Sequence, residues 1–249
     1  MRAPYSILLL LFLTGGPGLL RAQGGPPLVT DDPGTPGTGH WEVNLAWTHE
    51  RRPEGNVDEL PLLDLNYGWG ERVQLKFEGS WLVLSGDGGP HRAGASDALV
   101  GVKWRFLDEE KSGLAASVYP QVGFGALHSS VRRGITSGGT VLILPVELQK
   151  SFGPLEANVD FGCVADNRED DLWFGGVAVG HEFASHWELL AELHGEAEVG
   201  VRGSSLLCNL GARVPLTKSV TLLFSLGQEL YNATQSRATV SYLGLQLTR

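Results

Sequence analysis

The residues with the clearest chemical potential include a His-Ser pair near the middle of the chain. His128-Ser129-Ser130 places an imidazole two positions before a hydroxyl, a spacing at which His can activate Ser for acyl hydrolysis. The pair lies in a polar stretch with the character of a loop, and no third group that would orient the imidazole is recognisable. An acyl hydrolase that uses His128 and Ser130 therefore stays an alternative, and the sequence favours a protein that is not an enzyme.

A second cluster, Glu192-Leu193-His194-Gly195-Glu196, has the composition of a metal site. In a strand, Glu192, His194 and Glu196 would share one face, and carboxylates together with an imidazole bind divalent cations. No second cluster completes a ligand set, so this face is more simply a hydrated wall. We expect no metal and no cofactor.

The pattern that positions these side chains is alternation with a period of two. From Trp41 to Thr48 the odd positions are apolar and the even positions are polar or small, as in a strand with one apolar and one wet face. Similar stretches cover residues 63–69, 73–81, 100–106, 116–124, 142–148, 155–161, 177–180, 187–194, 208–214, 220–227 and 239–248. The total is about twelve strands, which predicts an all-β fold, an antiparallel up-and-down transmembrane β-barrel.

The connections and the aromatic residues indicate which face points outward. Long polar connections are predicted at 49–59, 85–96 and 127–139, and short ones at 70–71, 108–113, 151–154, 184–186 and 215–218. Long loops on one rim and tight turns on the other are typical of an outer-membrane barrel, with the turns in the periplasm. Aromatic residues fall near both strand ends, as at the two membrane interfaces: Trp41, Tyr67, Trp69, Trp104, Phe106, Phe183 and Trp187 at the turn end, and Trp47, Trp81 and Trp173 at the loop end. A soluble exported β-barrel that binds a ligand would show the same alternation with its faces exchanged, and it stays an alternative.

With the wet face inward, charged side chains would line a lumen. Bases cluster on the predicted third and fourth strands and acids on the seventh and ninth, so a field across the lumen could orient a polar or charged solute. The predicted solute pathway consists of Lys76, Lys103, Arg105, Asp160, Glu188, Glu192, His194 and Arg213. A narrow barrel that fills its interior with paired side chains and conducts little is the competing interpretation.

The N-terminus has the character of an export signal. Arg2 precedes an apolar stretch, residues 7–13, which Gly15, Gly16 and Pro17 interrupt before it is long enough to span a membrane. These features predict a signal peptide at 1–22. Residues 23–39 form a Pro- and Gly-rich lead that suits neither a helix nor a central strand and is a candidate plug, and 40–249 form the outer-membrane β-barrel.

The charge balance restricts the partners. Without Arg2 and Arg21, 17 basic residues face 28 acidic residues, a net charge of about −11. Such a chain repels nucleic acid. The expected partners are outer-membrane lipid, a small-molecule solute and the barrel assembly machinery, and the expected location is the bacterial cell outer membrane.

Two segments carry a family resemblance. The stretch from Pro26 to Glu42, with Thr30-Asp31-Asp32-Pro33-Gly34 at its centre, resembles the opening motif of the bacterial family named for the MetA-pathway of phenol degradation. The likeness also takes in Tyr119-Pro120-Gln121-Val122-Gly123-Phe124 and extends loosely along most of the mature chain. The resemblance implies a porin-like outer-membrane transporter, and through the family name it implies an aromatic compound as the solute.

Overall fold

The computed structural model describes residues 25–86, 91–168, 170–183, 187–199 and 203–249. The predicted signal peptide, residues 1–22, and the predicted turn at 184–186 lie outside the described residues. No helix in the described ranges is long and apolar enough to cross a membrane.

Antiparallel strands account for most of the described chain. The strands are β1 (Trp41–Arg52), β2 (Gly55–Gly68), β3 (Val73–Gly86), β4 (Arg92–Ala95), β5 (Ala98–Leu107), β6 (Ala115–Val118), β7 (Gln121–Phe124), β8 (Thr140–Phe152), β9 (Leu155–Asp166), β10 (Leu172–Glu182), β11 (Glu188–Glu198), β12 (Ser204–Pro215), β13 (Val220–Asn232) and β14 (Thr239–Thr248). The helices are α1 (Glu109–Ser112) and α2 (His128–Arg132).

These segments build a closed barrel of twelve strands, as the sequence predicts. The barrel closes because β1 pairs with β14, with Leu45 opposite Leu245. Two of the twelve are interrupted: β4 and β5 both pair with β3, and β6 and β7 both lie between β5 and β8. The second interruption falls at Pro120, which has no N–H to donate to a neighbouring strand.

Side chains alternate between the lumen and the outside along each strand. On β1, Glu42 and Asn44 are 0% and 1% exposed, whereas Trp41 and Leu45 are 45% and 46% exposed. Large apolar side chains are likewise exposed around the ring, among them Phe77, Val102, Val177, Leu193, Leu210, Leu226 and Leu245. An apolar exterior around a polar interior is the arrangement of a barrel surrounded by lipid.

The two ends of the barrel differ. The end that carries Trp41 and the short connections is here called the turn end, and the opposite end, which carries Arg52 and Gly55, the loop end. Exposed aromatic side chains lie near both, for example Trp69 and Trp104 at the turn end and Trp173 at the loop end. Their positions agree with the two predicted aromatic groups.

Two predicted connections need correction. The predicted loop at 85–96 is shorter, because β3 runs to Gly86 and β4 begins at Arg92. The prediction at 49–59 is wrong. The sequence indicates a long loop at 49–59, but β1 continues to Arg52 and β2 begins at Gly55, so only Pro53 and Glu54 join them. The polar residues there stay in register, with His49 opposite Asp58 and Glu50 opposite Val57. The difference has a physical cause. A hairpin that projects beyond the apolar belt needs no apolar face, so its strands lack the alternation of apolar and polar residues that marks the membrane-facing strands.

Candidate functional site: the barrel lumen

The Pro- and Gly-rich lead lies inside the barrel. Its central residues are buried, with Leu28, Thr30 and Asp32 each 0% exposed. Leu28 packs against Ala178 of β10 and Leu190 of β11, both of which face the lumen. A cavity of about 20 Å³ lies beside Pro27 and Val29, room for about one water molecule. The described part of the lead, from Gly25 onward, thus occupies much of the lumen cross-section.

An irregular segment in a barrel interior must find partners for its backbone groups outside itself. The carboxylate of Glu192 accepts hydrogen bonds from the backbone N–H groups of Val29, at 3.2 Å, and Thr30. Asp160 accepts one from the N–H of Asp31, at 3.3 Å. The acidic wall predicted from the sequence therefore receives the donors of the lead.

The carbonyl groups of the lead meet donors on β12 and β13, the strands that follow β11 in the wall. Arg213 donates from Nε to the Pro26 carbonyl at 2.9 Å and from Nη2 to the Gly25 carbonyl at 3.2 Å. Its third nitrogen, Nη1, lies 3.2 Å from Glu188 Oε2. The Ser225 hydroxyl donates to the Pro27 carbonyl at 2.7 Å. A planar guanidinium suits this role because its donors spread over several acceptors at once.

Lys103 forms the charged link between the lead and the wall. Its ammonium lies 3.0 Å from Asp31 Oδ2 of the lead and 3.0 Å from Glu147 Oε2 of β8, and it donates to the Asp32 carbonyl. The ring of Tyr119 lies beneath it, with Nζ 4.6 Å from the centroid. All these groups are buried, so the ion pairs are shielded from solvent.

Lys76 belongs to a separate polar ladder on β1, β2 and β3. Its ammonium lies 3.2 Å from Asp64 Oδ1 and 2.6 Å from Glu78 Oε2. Amide side chains continue the ladder, since Asn44 and Asn66 both donate to Asp64 at 3.1 Å. Lys76 and Lys103 therefore each lie beside two carboxylates. Because these carboxylates compensate the positive charges locally, the electric field predicted across the lumen has a shorter range.

His194 lies beside the lead without a close hydrogen bond to it. Its Nδ1 is 4.0 Å from Asp160 Oδ1, and its ring stacks with that of Phe174 at 6.1 Å between centroids. A side-chain Cβ at Gly176 would lie 2.0 Å from Thr30 Oγ1 and 2.7 Å from His194 Nδ1. The absence of a side chain at position 176 thus makes room for the lead. Among the described residues, no group of three or more His, Cys, Asp and Glu is arranged to hold a metal ion.

Arg105 lies at the turn end, apart from the other predicted pathway residues. It donates to the Glu71 carbonyl at 2.7 Å and pairs with Asp108 at 3.3 Å. The lead leaves the lumen at the same place, where the Thr35 hydroxyl donates to the Glu71 carbonyl at 2.9 Å. The Thr38 hydroxyl donates to the Glu71 carboxylate, and this hydrogen bond holds the pKa of Glu71 below its ordinary value of 4.5.

The His-Ser pair does not form a catalytic arrangement. His128 and Ser130 lie on α2 in a loop-end connection, where His128 is exposed and Ser130 is buried. The Ser130 hydroxyl has no hydrogen-bond partner among the described residues, so His128 does not activate it in this structure.

Other polar side chains line the lumen beside the predicted pathway residues. They include Gln74, Tyr119 and Glu147, and Gln74 donates to both Asn66 and Tyr119 at 2.9 and 3.1 Å. The alternation along β3 and β8 indicates the inward direction of Gln74 and Glu147. An apolar cluster in the loop-end half of the lumen gave no such signal, because both faces of β8 are apolar there; it comprises Leu99, Val141, Ile143, Val164 and Phe174.

No family model matches this sequence, and a search of curated proteins finds no match. Solved structures do match. An outer membrane channel from Pseudomonas putida F1 superposes with a TM-score of 0.73 at 12% identity, covering 88% of this chain and 98% of that one. The NanC porin gives 0.59 at 11% identity, covering 82% and 98%, and the translocator domain of the autotransporter NalP from Neisseria meningitidis gives 0.54 at 12%, covering 85% and 88%. At these identities the likeness shows the fold, and the chain shares the architecture of outer-membrane β-barrels.

Proposed function

We propose that this protein is a bacterial outer-membrane channel for a small molecule, in which residues 25–39 act as a plug. The observation that carries the proposal is the contact of Lys103 with Asp31 of the lead and Glu147 of the wall. This ion pair links the lead to the barrel wall. The described lead is tied to the wall mainly by ion pairs and hydrogen bonds, which water can replace when the segment moves.

A barrel with a purely structural role would not need buried ion pairs between the lead and the wall. Burying charged groups is costly, and well-packed apolar residues of similar volume often stabilise a protein as well or better. Charged walls are useful when the interior must also exist in a hydrated state. Twelve strands lie between the eight that side chains fill and the sixteen of open porins, so the lumen becomes a passage only when the lead is displaced.

The solute pathway follows from the same placement. We assign it to the side chains around the lead, namely Lys76, Lys103, Asp160, Glu188, Glu192, His194 and Arg213, with Arg105 at the turn-end mouth. Both signs of charge favour a polar or charged solute. An aromatic solute rests on the family resemblance alone, although an aromatic compound that carries a polar group is compatible with the apolar cluster around Phe174. The similarity to an outer membrane channel and a porin supports passage over catalysis.

Fractionation and conductance test the proposal together. The folded protein should stay with the outer membrane after an alkaline wash and should migrate faster on a detergent gel before heating. In planar bilayers, removal of residues 25–36 should raise the conductance of the barrel above that of the full chain. Recovery of folded protein in the soluble periplasm would contradict the location, and equal conductance of two folded proteins would contradict the plug. If the deletion does not fold, Asp31→Asn serves in its place.

A further inference from the structure

The outward face of β1 changes character near the loop end. Leu45 and Trp47 face outward, and the next two outward positions are His49 and Arg51. The buried residues between them, Thr48 and Glu50, face the lumen. The neighbouring strands change in the same way, since Arg51 lies opposite Asn56 on β2 and Thr239 on β14. The apolar belt therefore ends in a polar zone on the outside of the barrel.

This zone contains a groove with a basic lining. Its volume is about 740 Å³. The lining residues are His49, Arg51, Arg52, Pro53, Gly55, Asn56, Ser85, Gly86, His91, Arg237 and Thr239. Among the described lining residues, three are arginines, two are histidines and none is acidic, although the whole chain has a net charge of −9. The described lining of the groove is thus basic, whereas the chain as a whole is acidic.

Two of the arginines are available to a ligand. Arg52 is held on the lumen side by Glu50 and, at 3.0 Å, by Glu229. His49 Nδ1 lies 2.8 Å from Asp58 Oδ1, which also accepts from the Trp47 indole. Glu54, at the hairpin tip, accepts a hydrogen bond from the Ser236 hydroxyl, which holds its carboxylate on that side of the hairpin. Arg51 and Arg237 are exposed, and neither forms an ion pair with a described residue.

The height of the groove matches the headgroup layer of a membrane. Trp47 belongs to the loop-end aromatic group, and such rings settle at the boundary between hydrocarbon and headgroups. Arg51 is four residues farther along the strand, about 13 Å at the rise of a β-strand. With the usual tilt this puts it roughly 10 Å above Trp47, in the layer where lipid phosphates lie.

We propose that this groove binds the phosphate groups of a phosphorylated glycolipid headgroup, that of lipid A, in the outer leaflet. The proposal rests on the membrane location proposed above. Arginine is suited to the ligand because its planar guanidinium donates two parallel hydrogen bonds to a phosphate. The site opens to the outside of the barrel and shares no residue with the solute pathway, so it anchors the β1–β2 hairpin to lipid without contacting the lumen.

Lipid retention by the purified full-length protein tests the site. The protein in nonionic detergent would be incubated with lipid A that carries two phosphates, and the bound lipid would be measured by native mass spectrometry. The double variant Arg51→Gln, Arg237→Gln should bind at least about tenfold more weakly, since each basic group near an anionic lipid surface contributes appreciably. Arg132→Gln on α2 is the matched control, because it removes an exposed arginine at the same end of the barrel, and it should bind like the wild type.

Two further arms identify the source of the phosphate. Dephosphorylated lipid A should bind the wild type at least about tenfold more weakly than intact lipid A does, and this comparison does not depend on the folding of the double variant. Inorganic phosphate at the same phosphate concentration should leave lipid A bound. Equal retention by the wild type and a folded double variant would overturn the proposal, and displacement by inorganic phosphate would assign the groove to a free anion instead. Solute passage in phosphatidylcholine liposomes without lipid A, measured on the same preparations, tests the channel separately.

Discussion

The Nζ of Lys103 lies 3.0 Å from Oδ2 of Asp31, and this ion pair joins the wall of the barrel to the segment inside it. Both groups are buried, and the second carboxylate, that of Glu147, shares the same ammonium. The Asp31 side of the pair belongs to the lead, whose backbone is irregular and whose neighbouring residues depend on the wall for their hydrogen bonds. A change at this contact should therefore alter the lead before it alters the barrel.

Asp31→Asn should loosen the lead while the barrel stays folded. Lys103 would keep Glu147 as a partner, so we expect a loss of about 1–3 kcal/mol in the docking of the lead, within the usual range for a buried charged hydrogen bond. In planar bilayers the variant should open more often than the wild type. Asp32→Asn is the control: Lys103 contacts its backbone carbonyl, which the substitution retains. Equal opening by the wild type and Asp31→Asn would mean that the ion pair does not hold the plug.

Gly176→Ala should also displace the lead. The added Cβ would lie 2.0 Å from Thr30 Oγ1 and 2.9 Å from Asp160 Oδ1, so Thr30 must move. Overpacking of this kind costs roughly 1–3 kcal/mol. Limited proteolysis of the lead in detergent should become faster.

The adjacent position provides a matched control. In Gly175→Ala the added Cβ would meet Asp160 O at 3.5 Å and Phe161 Cβ at 3.7 Å, both ordinary contacts. Proteolysis of the lead should then proceed at the rate of the wild type. A similar rate for both alanine variants would show that Thr30 does not need the space beside Gly176.

Leu193→Arg should impair insertion into bilayers. Leu193 is 50% exposed near the middle of β11 and faces away from the lumen. An arginine on the lipid face costs roughly 2–4 kcal/mol at the bilayer midplane and little near the interfaces. Leu216→Arg, in the connection between β12 and β13, is the control, since Leu216 is 55% exposed outside the strands. Folding yield into phosphatidylcholine vesicles, read from heat-modifiable gel mobility, should fall only for Leu193→Arg. Comparable yields would argue for a soluble barrel.

The contact of Thr38 with Glu71 should depend on pH only in the acid range. The hydrogen bond lowers the pKa of Glu71 from its ordinary value of 4.5, so the contact stabilises the folded state above that value. The stabilisation is lost as the pH falls through the lowered pKa. Hydrogen exchange at the Thr38 amide, which also donates to Glu71, should accelerate in the wild type as the pH falls through the lowered pKa of Glu71. In Glu71→Gln the exchange, corrected for intrinsic rates, should show no such step.

The strands β1 and β8 differ in how clearly their residues alternate. On β1, alternation from Trp41 to Thr48 predicts both the strand and its two faces, because successive side chains point to opposite sides of any strand. On β8, Val141 and Ile143 face the lumen and are as apolar as the outward-facing residues beside them. The alternation of apolar and polar residues is therefore absent there. The β1–β2 hairpin tip lacks the period for the opposite reason, since both of its faces are polar.

The sequence by itself determined the all-β class, the number of strands, their outward faces and the charged character of the interior, since all of these follow from local alternation. The tertiary structure alone decided which charges meet. Lys103 and Asp31 are 72 residues apart, and Arg213 lies 187 residues from the Pro26 carbonyl that it binds. Only closure of the barrel brings β5, β10, β11 and β12 around one segment, because an irregular lead carries no periodic signal and takes its path from the donors and acceptors of the wall.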